Sequence, residues 1–195
     1  MATSGSPTTG PRPRRTLIFA SATHVWSDLF FALFVPLLVL IKADLDLTFT
    51  EVGLLRTGHN AAAAVLQVPT GLLAERVGEF WLLVGGNIWV AVGLVAMAST
   101  DTYIRLLIAA LIGGLGGGTQ HPLASSMVSQ AYDERARATA VGTVNFAGDL
   151  GKLAAPALAL LIASQYGWRA TMRLVGLAAI AFMAVAALVR KAVDT

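Results

Sequence analysis

Residues 71–78, GLLAERVG, form a short charged interruption between two apolar runs, 50–74 and 80–98, each long enough to cross a bilayer. A connection this tight forces its flanking helices into an antiparallel pair with the turn at a membrane face. The same alternation recurs along the chain and predicts six spans, at 16–41, 50–74, 80–98, 103–128, 138–164 and 170–189, each close to the ~20 residues a bilayer-crossing helix needs. Composition agrees: the chain is 56% hydrophobic and 13% charged, with a mean hydropathy of +0.70, more apolar surface than a soluble core could bury.

Other classes fall away on the same grounds. There is no Cys, which excludes a disulfide framework and a thiolate metal site. The pI of 9.7 would suit a nucleic-acid binder, but the basic residues sit at the ends of apolar spans, where they act as topology signals. No nucleophile and base, metal triad or cofactor loop can be assembled at a recognisable spacing, so an enzyme is not expected. Residues 1–15, rich in Ser, Thr, Pro and Gly, read as a disordered cytoplasmic tail without a cleavable signal peptide, and 191–195 as a short cytoplasmic C-terminus.

Orientation follows from the Lys and Arg bias. With the tail inside, Arg12, Arg14, Arg15, Arg76, Arg135, Arg137, Arg190 and Lys191 all lie inside, leaving Lys42, Arg105, Arg169 and Arg173 outside. An even number of spans requires the same arrangement. A weak internal echo pairs Val52-Gly53 with Val141-Gly142, Pro69 with Pro156 and Gly78 with Gly167 at offsets of 87 to 89, and His24 with His121 at 97. Such spacing fits two three-helix repeats, inverted because an odd number of spans separates them.

Polar residues at depth are confined to some spans. The first carries His24 and Asp28; the second Arg56, His59, Asn60 and Gln67; the fourth Gln120, His121 and Ser125; the fifth Asn145, Asp149 and Lys152. The third and sixth carry almost none, Asn87 excepted. A charge near the bilayer centre costs ~2.5–3.5 kcal/mol on insertion scales, so these groups need a partner or a wet cavity. Their three-and-four spacing puts one polar stripe on each helix, and the four stripes are expected to line a common cavity while the third and sixth spans face lipid.

Two readings stay open for several of these residues. Asp149 and Lys152 are spaced as a local i, i+3 ion pair that needs no transport role. His59 and His121 suit hydrogen bonds between helices as well as proton relay, whereas Asp28 has only His24 as a cationic neighbour on its own helix and reads as functional. Three histidines and Met127 suggest a soft-metal path, but no tight cluster with ligand spacing appears and no metal ligand or cofactor is assigned. Gly113, Gly114, Gly116, Gly117 and Gly118 before His121-Pro122 predict close helix approach or a local break. No Lys-Ser/Thr follows that glycine run, which argues against a phosphate loop.

Several segments together resemble the fosmidomycin-resistance-like exporters of the major facilitator superfamily: HVWSDLFFALFVPLL from His24, residues 50–78, GGGTQHPLASSM at 116–127, and NFAGDLGKLAAP at 145–156. The resemblance covers nearly all the chain after the tail. Gly71, Glu75, Arg76 and Gly78 take the positions of the family's loop motif between helices 2 and 3. Glu75 stands in place of the usual Asp, and Glu79 and Phe80 stand where basic residues are usual. The resemblance implies that Glu75 latches a cytoplasmic gate by docking at the start of helix 5 of an opposite half, near residues 137–140, where exposed amides and the helix dipole favour a carboxylate.

The family has twelve helices in two six-helix halves, and this chain holds the equivalent of one. The expected fold is therefore an all-α membrane protein, one six-helix half-bundle, in a bacterial cytoplasmic membrane, and its polar stripes require a second half. The halves of this fold share one orientation, so a homodimer would be parallel, consistent with the positive-inside bias. The expected function is secondary active transport by alternating access, proton-coupled through Asp28 with His24, exporting a small molecule from a cavity shared between two copies. The alternatives are one half of a split heterodimeric transporter, a piece of a longer exporter, or a non-transporting scaffold or regulatory subunit.

Overall fold

The computed structural model describes residues 12–188 and 190; most of the expected tail, and all of the expected C-terminal segment, lie outside them. Every regular element among the described residues is helical: α1 Pro13–Asp44, α2 Phe49–Val65, α3 Gln67–Val77, α4 Glu79–Met97, α5 Tyr103–Gly114, a 3-10 turn Leu115–Thr119, α6 Gln120–Ala131 and α7 Glu134–Leu188. α1 starts ahead of the apolar run, with Arg14 and Arg15 in its first turn. By length and composition α1, α4 and α7 are each apolar enough to cross a membrane.

Local chemistry sets the breaks. α2 is capped by a reciprocal box in which Glu51 N–H donates to Thr48 Oγ1 (3.2 Å) and Thr48 N–H donates to Glu51 Oε2 (2.8 Å). The predicted span 50–74 is divided at Leu66, which keeps right-handed helical angles; Pro69 has no N–H for the Val65 carbonyl, so the helical ladder cannot run on unbroken. The span 103–128 tightens into the 3-10 turn ahead of Pro122, where the glycine run predicted a break. Gly78 (φ 88°) separates α3 from α4, and Gly167 (φ 78°, ψ 171°) divides α7 into two arms, between the predicted spans 138–164 and 170–189.

α1 runs through the middle of the bundle, packed chiefly on α7 and also on α6, α4 and α2. One apolar cluster gathers Leu33, Phe34 and Leu37 with Leu94, Met97, Leu106, Trp168 and Met172. A second, at the other end, gathers Phe19 with Phe80, Leu83, Val128, Val144 and Met183. Between them on α1 lie Thr23, His24, Ser27 and Asp28, all buried, and this polar layer is where the functional candidates meet.

The four basic residues that the charge bias left on the outer face all have local partners. Arg169 bonds Asp44 and donates to the Thr100 carbonyl (3.0 Å), and Arg173 donates to the Ala98 carbonyl (3.0 Å), so two guanidinium groups satisfy backbone oxygens at the C-terminal end of α4. Arg105 pairs with Asp101 at 2.7 Å, and the Lys42 ammonium lies over the Phe49 ring.

Surface character divides by element. α4 exposes Trp81, Trp89 and Val92, and the second arm of α7 exposes Leu174, Leu177 and Val185. α2, α3 and the first arm of α7 expose Arg56, Asn60, Gln67, Asn145, Asp149 and Lys152 interspersed with Leu54, Val65, Phe146, Leu150 and Leu153.

Candidate functional site

Asp28 is the hub. It is 3% exposed, and three side chains converge on its carboxylate: His24 Nε2 from one turn earlier on α1 (3.4 Å), His121 Nε2 from α6 (3.6 Å) and Lys152 Nζ from α7 (3.1 Å). The two imidazoles also meet each other, His24 Nε2 and His121 Nδ1 standing 3.1 Å apart, so one ring nitrogen donates to the other. Lys152 makes the local ion pair expected with Asp149, at 3.0 Å, and holds Asp28 at the same time. His24 and Asp28 are closed off, whereas the side chains of His121 and Lys152 are about half exposed.

Two sequence features make this convergence possible. His24 and Asp28 are four residues apart and so share a helix face. On the facing arm of α7, Gly148 has no side chain; a Cβ there would collide with Asp28 Oδ2 and approach His24 Nε2 to 3.0 Å. The glycine lets α1 and α7 close until the carboxylate and the Lys152 ammonium meet.

Beside the hub lies a neutral polar link. Gln120 is buried, accepts from Asn87 Nδ2 of α4 at 2.8 Å and donates to Thr23 Oγ1 at 3.4 Å. It joins α1, α4 and α6 inside the bundle. Asn87, the lone polar residue noted on the third span, is thus a packing partner of a predicted site residue. Both bridges from α1 to α6, Thr23 to Gln120 and His24 to His121, join residues 97 apart.

The other predicted residues are placed separately. His59 is buried, bonded through Nδ1 to the Ala110 carbonyl (2.9 Å) and packed by Phe31 and Phe34, which matches its interhelical reading. Arg56, Asn60 and Gln67 lie exposed on α2 and α3, and Asn145 on α7; Arg56 makes no ion pair with Asp28 or Asp149. Gly71, Glu75 and Gly78 line a pocket of 560 Å³ with Glu79, Pro122, Ser126 and Gln130, and Arg76 stands exposed beside it. Glu79, which replaces a usual base of the loop motif, accepts a hydrogen bond from Gln130 at 3.0 Å and so ties the start of α4 to α6.

A sequence model of the Major Facilitator Superfamily matches residues 20–195. The chain belongs to that superfamily. Among major facilitator relatives, the fosmidomycin resistance protein of Escherichia coli is 26% identical over 147 residues, which are 75% of this chain and 36% of that protein. A probable 4-methylmuconolactone transporter of Cupriavidus pinatubonensis is 31% identical over 127 residues, 63% of this chain and 30% of that protein. The fold matches a crystal structure of the peptide transporter POT in complex with sulfate, with a TM-score of 0.80 at 20% identity, covering 97% of this chain and 40% of the other. The chain thus spans well under half the length of these relatives. It is an integral membrane protein of a transporter family, and its relatives are transporters, not enzymes.

Proposed function

We propose that this protein is a half-length major facilitator transporter: six spans in two inverted three-helix repeats, working as a parallel homodimer by alternating access and exporting a small molecule in exchange for protons. The observation that carries the reading is the buried Asp28, shared by His24, His121 and Lys152 from three helices. A carboxylate at this depth persists only with partners of opposite charge, and a change in its protonation redistributes the bonds joining α1, α6 and α7. His24 on its own helix, His121 on α6, and Lys152 with Asp149 behind it on α7 are the titratable groups that face it.

The repeat reading is supported by the paired offsets: Gly78 and Gly167, 89 apart, both carry positive φ at helix breaks, and the two bridges between α1 and α6 join residues 97 apart. The shared-cavity reading is supported by the mixed polar and apolar surface that α2, α3 and the first arm of α7 each expose, which a bilayer alone would not satisfy. A second copy would cover it, with Glu75 at the start of α7 of its neighbour; a different six-span chain in that place would make the protein half of a heterodimer.

The test is counterflow across proteoliposomes carrying an internal pH dye, starting with fosmidomycin and other small anions. Asp28→Asn is expected to insert normally and to lose pH-driven flux. A variant with unchanged pH dependence would end the assignment of Asp28 as the coupling residue.

A further inference from the structure

We propose that His24, Asp28 and His121 form a binding site for a divalent first-row transition-metal cation of the Zn²⁺ type. One donor atom from each lies within 4.8 Å of the other two. The closest approaches use different atoms from pair to pair: His24 Nε2 to His121 Nδ1 at 3.1 Å, His24 Nε2 to Asp28 Oδ2 at 3.4 Å and His121 Nε2 to Asp28 Oδ1 at 3.6 Å. Zinc–nitrogen and zinc–oxygen bonds of about 2.0–2.2 Å in a tetrahedral shell set neighbouring ligand atoms about 3.3 Å apart, so rotation of the side chains must draw one atom from each residue inward from the 4.8 Å envelope to complete the shell.

A second observation points to a ligand. Asp28 Oδ2 is fully buried and is met by two nitrogens, Lys152 Nζ at 3.1 Å and His24 Nε2 at 3.4 Å. A cation already neutralises the carboxylate that a metal would bind, and that cation is replaceable. Lys152 keeps Asp149 at 3.0 Å, so on leaving Asp28 its ammonium is not stranded. Lys152 is then the resident counter-ion, and the metal its competitor.

The donor set restricts the ion. Two imidazoles and one carboxylate suit Zn²⁺, Co²⁺ or Ni²⁺; Ca²⁺ and Mg²⁺ require oxygen shells, and Cu⁺ prefers the thiolates this chain lacks. The half-exposed side of His121 leaves the remaining coordination position open to water or an incoming anion. Binding also breaks the hydrogen bond between the two imidazoles and requires both to be neutral, so affinity rises with pH.

This inference rests on the donor geometry and is independent of transport, so a binding failure leaves the transport reading standing. The experiment is titration of the untagged full chain in nanodiscs with Co²⁺, followed by its visible ligand-field absorption, and with Zn²⁺ by calorimetry. One ion per chain is expected, with a low-coordinate Co²⁺ spectrum and affinity falling as pH falls. His121→Ala should weaken binding at least about tenfold, and Lys152→Gln should strengthen it several-fold. Both substitutions are at half-exposed side chains, and thermal melting checks their fold. Binding unchanged in His121→Ala, binding weakened by Lys152→Gln, or no binding beyond that of a His24→Ala/His121→Ala double variant would each overturn the proposal.

Discussion

Asp28 can meet Lys152 because position 148 has no side chain, whereas position 142, six residues earlier on the same helix, faces open space. The same substitution should therefore act with opposite sign at the two sites. Gly148→Ala drives a methyl into the carboxylate and the His24 ring, an overpacking penalty of about 1–3 kcal/mol; Gly142→Ala gains about 0.5–1 kcal/mol of helix stability. Thermal melting in one detergent compares the two, and equal shifts would mean that α1 and α7 are not in close contact at Asp28. At this scale the sequence was partly legible. The i, i+4 pair His24 and Asp28 and the i, i+3 pair Asp149 and Lys152 were visible as helical spacing, because neighbours on one helix are fixed by its pitch. His59 and His121 could not be told apart, because which face a helix turns inward depends on what packs against it. His59 is enclosed by Phe31, Phe34 and Ala110, while His121 meets His24 with its side chain half open.

Interruptions decide how the helices of this chain are used. The division of α7 at Gly167 rests on a backbone conformation that residues with a Cβ rarely adopt. Gly167→Ala should cost about 1–3 kcal/mol, lowering the melting temperature, and it should loosen the contacts of Arg169 and Arg173 with Asp44 and the end of α4, read as faster amide exchange at residues 98–101. Unchanged exchange there would uncouple the bend from that contact. Gly167 falls between two predicted spans, and Pro122 follows the glycine run, so both breaks were legible as local chain chemistry. The break at Leu66 was not, because the apolar run passes through it and Pro69 acts three residues downstream.

The molecule as a whole exposes polar side chains on α2, α3 and the first arm of α7, Arg56, Asn60, Gln67, Asn145 and Asp149, among exposed Leu and Phe. For a parallel homodimer the gate loop of one copy meets the start of α7 of the next. The chain is free of Cys, which makes the test direct: Glu75→Cys in one copy and Thr139→Cys in a differently tagged copy should crosslink when co-expressed, and the particle mass in nanodiscs should equal two chains. A single-chain mass without crosslinks, or a stable complex with a different hydrophobic chain, would replace the homodimer.

What the sequence by itself determined is one-dimensional: that the chain is a membrane protein of this superfamily, where its apolar runs and most of its breaks fall, and which residues share a stripe along one helix. The runs, breaks and stripes follow from hydropathy and from the fixed pitch of the helix, and the superfamily from the resemblance of residues 24–38, 50–78, 116–127 and 145–156. Only the tertiary structure decided which stripes meet. Asp28 gains His121 and Lys152, Gln120 turns to Asn87 and Thr23, and His59 withdraws into an aromatic pocket. Those pairings join residues tens of positions apart, and they depend on the rotation and close approach of packed helices.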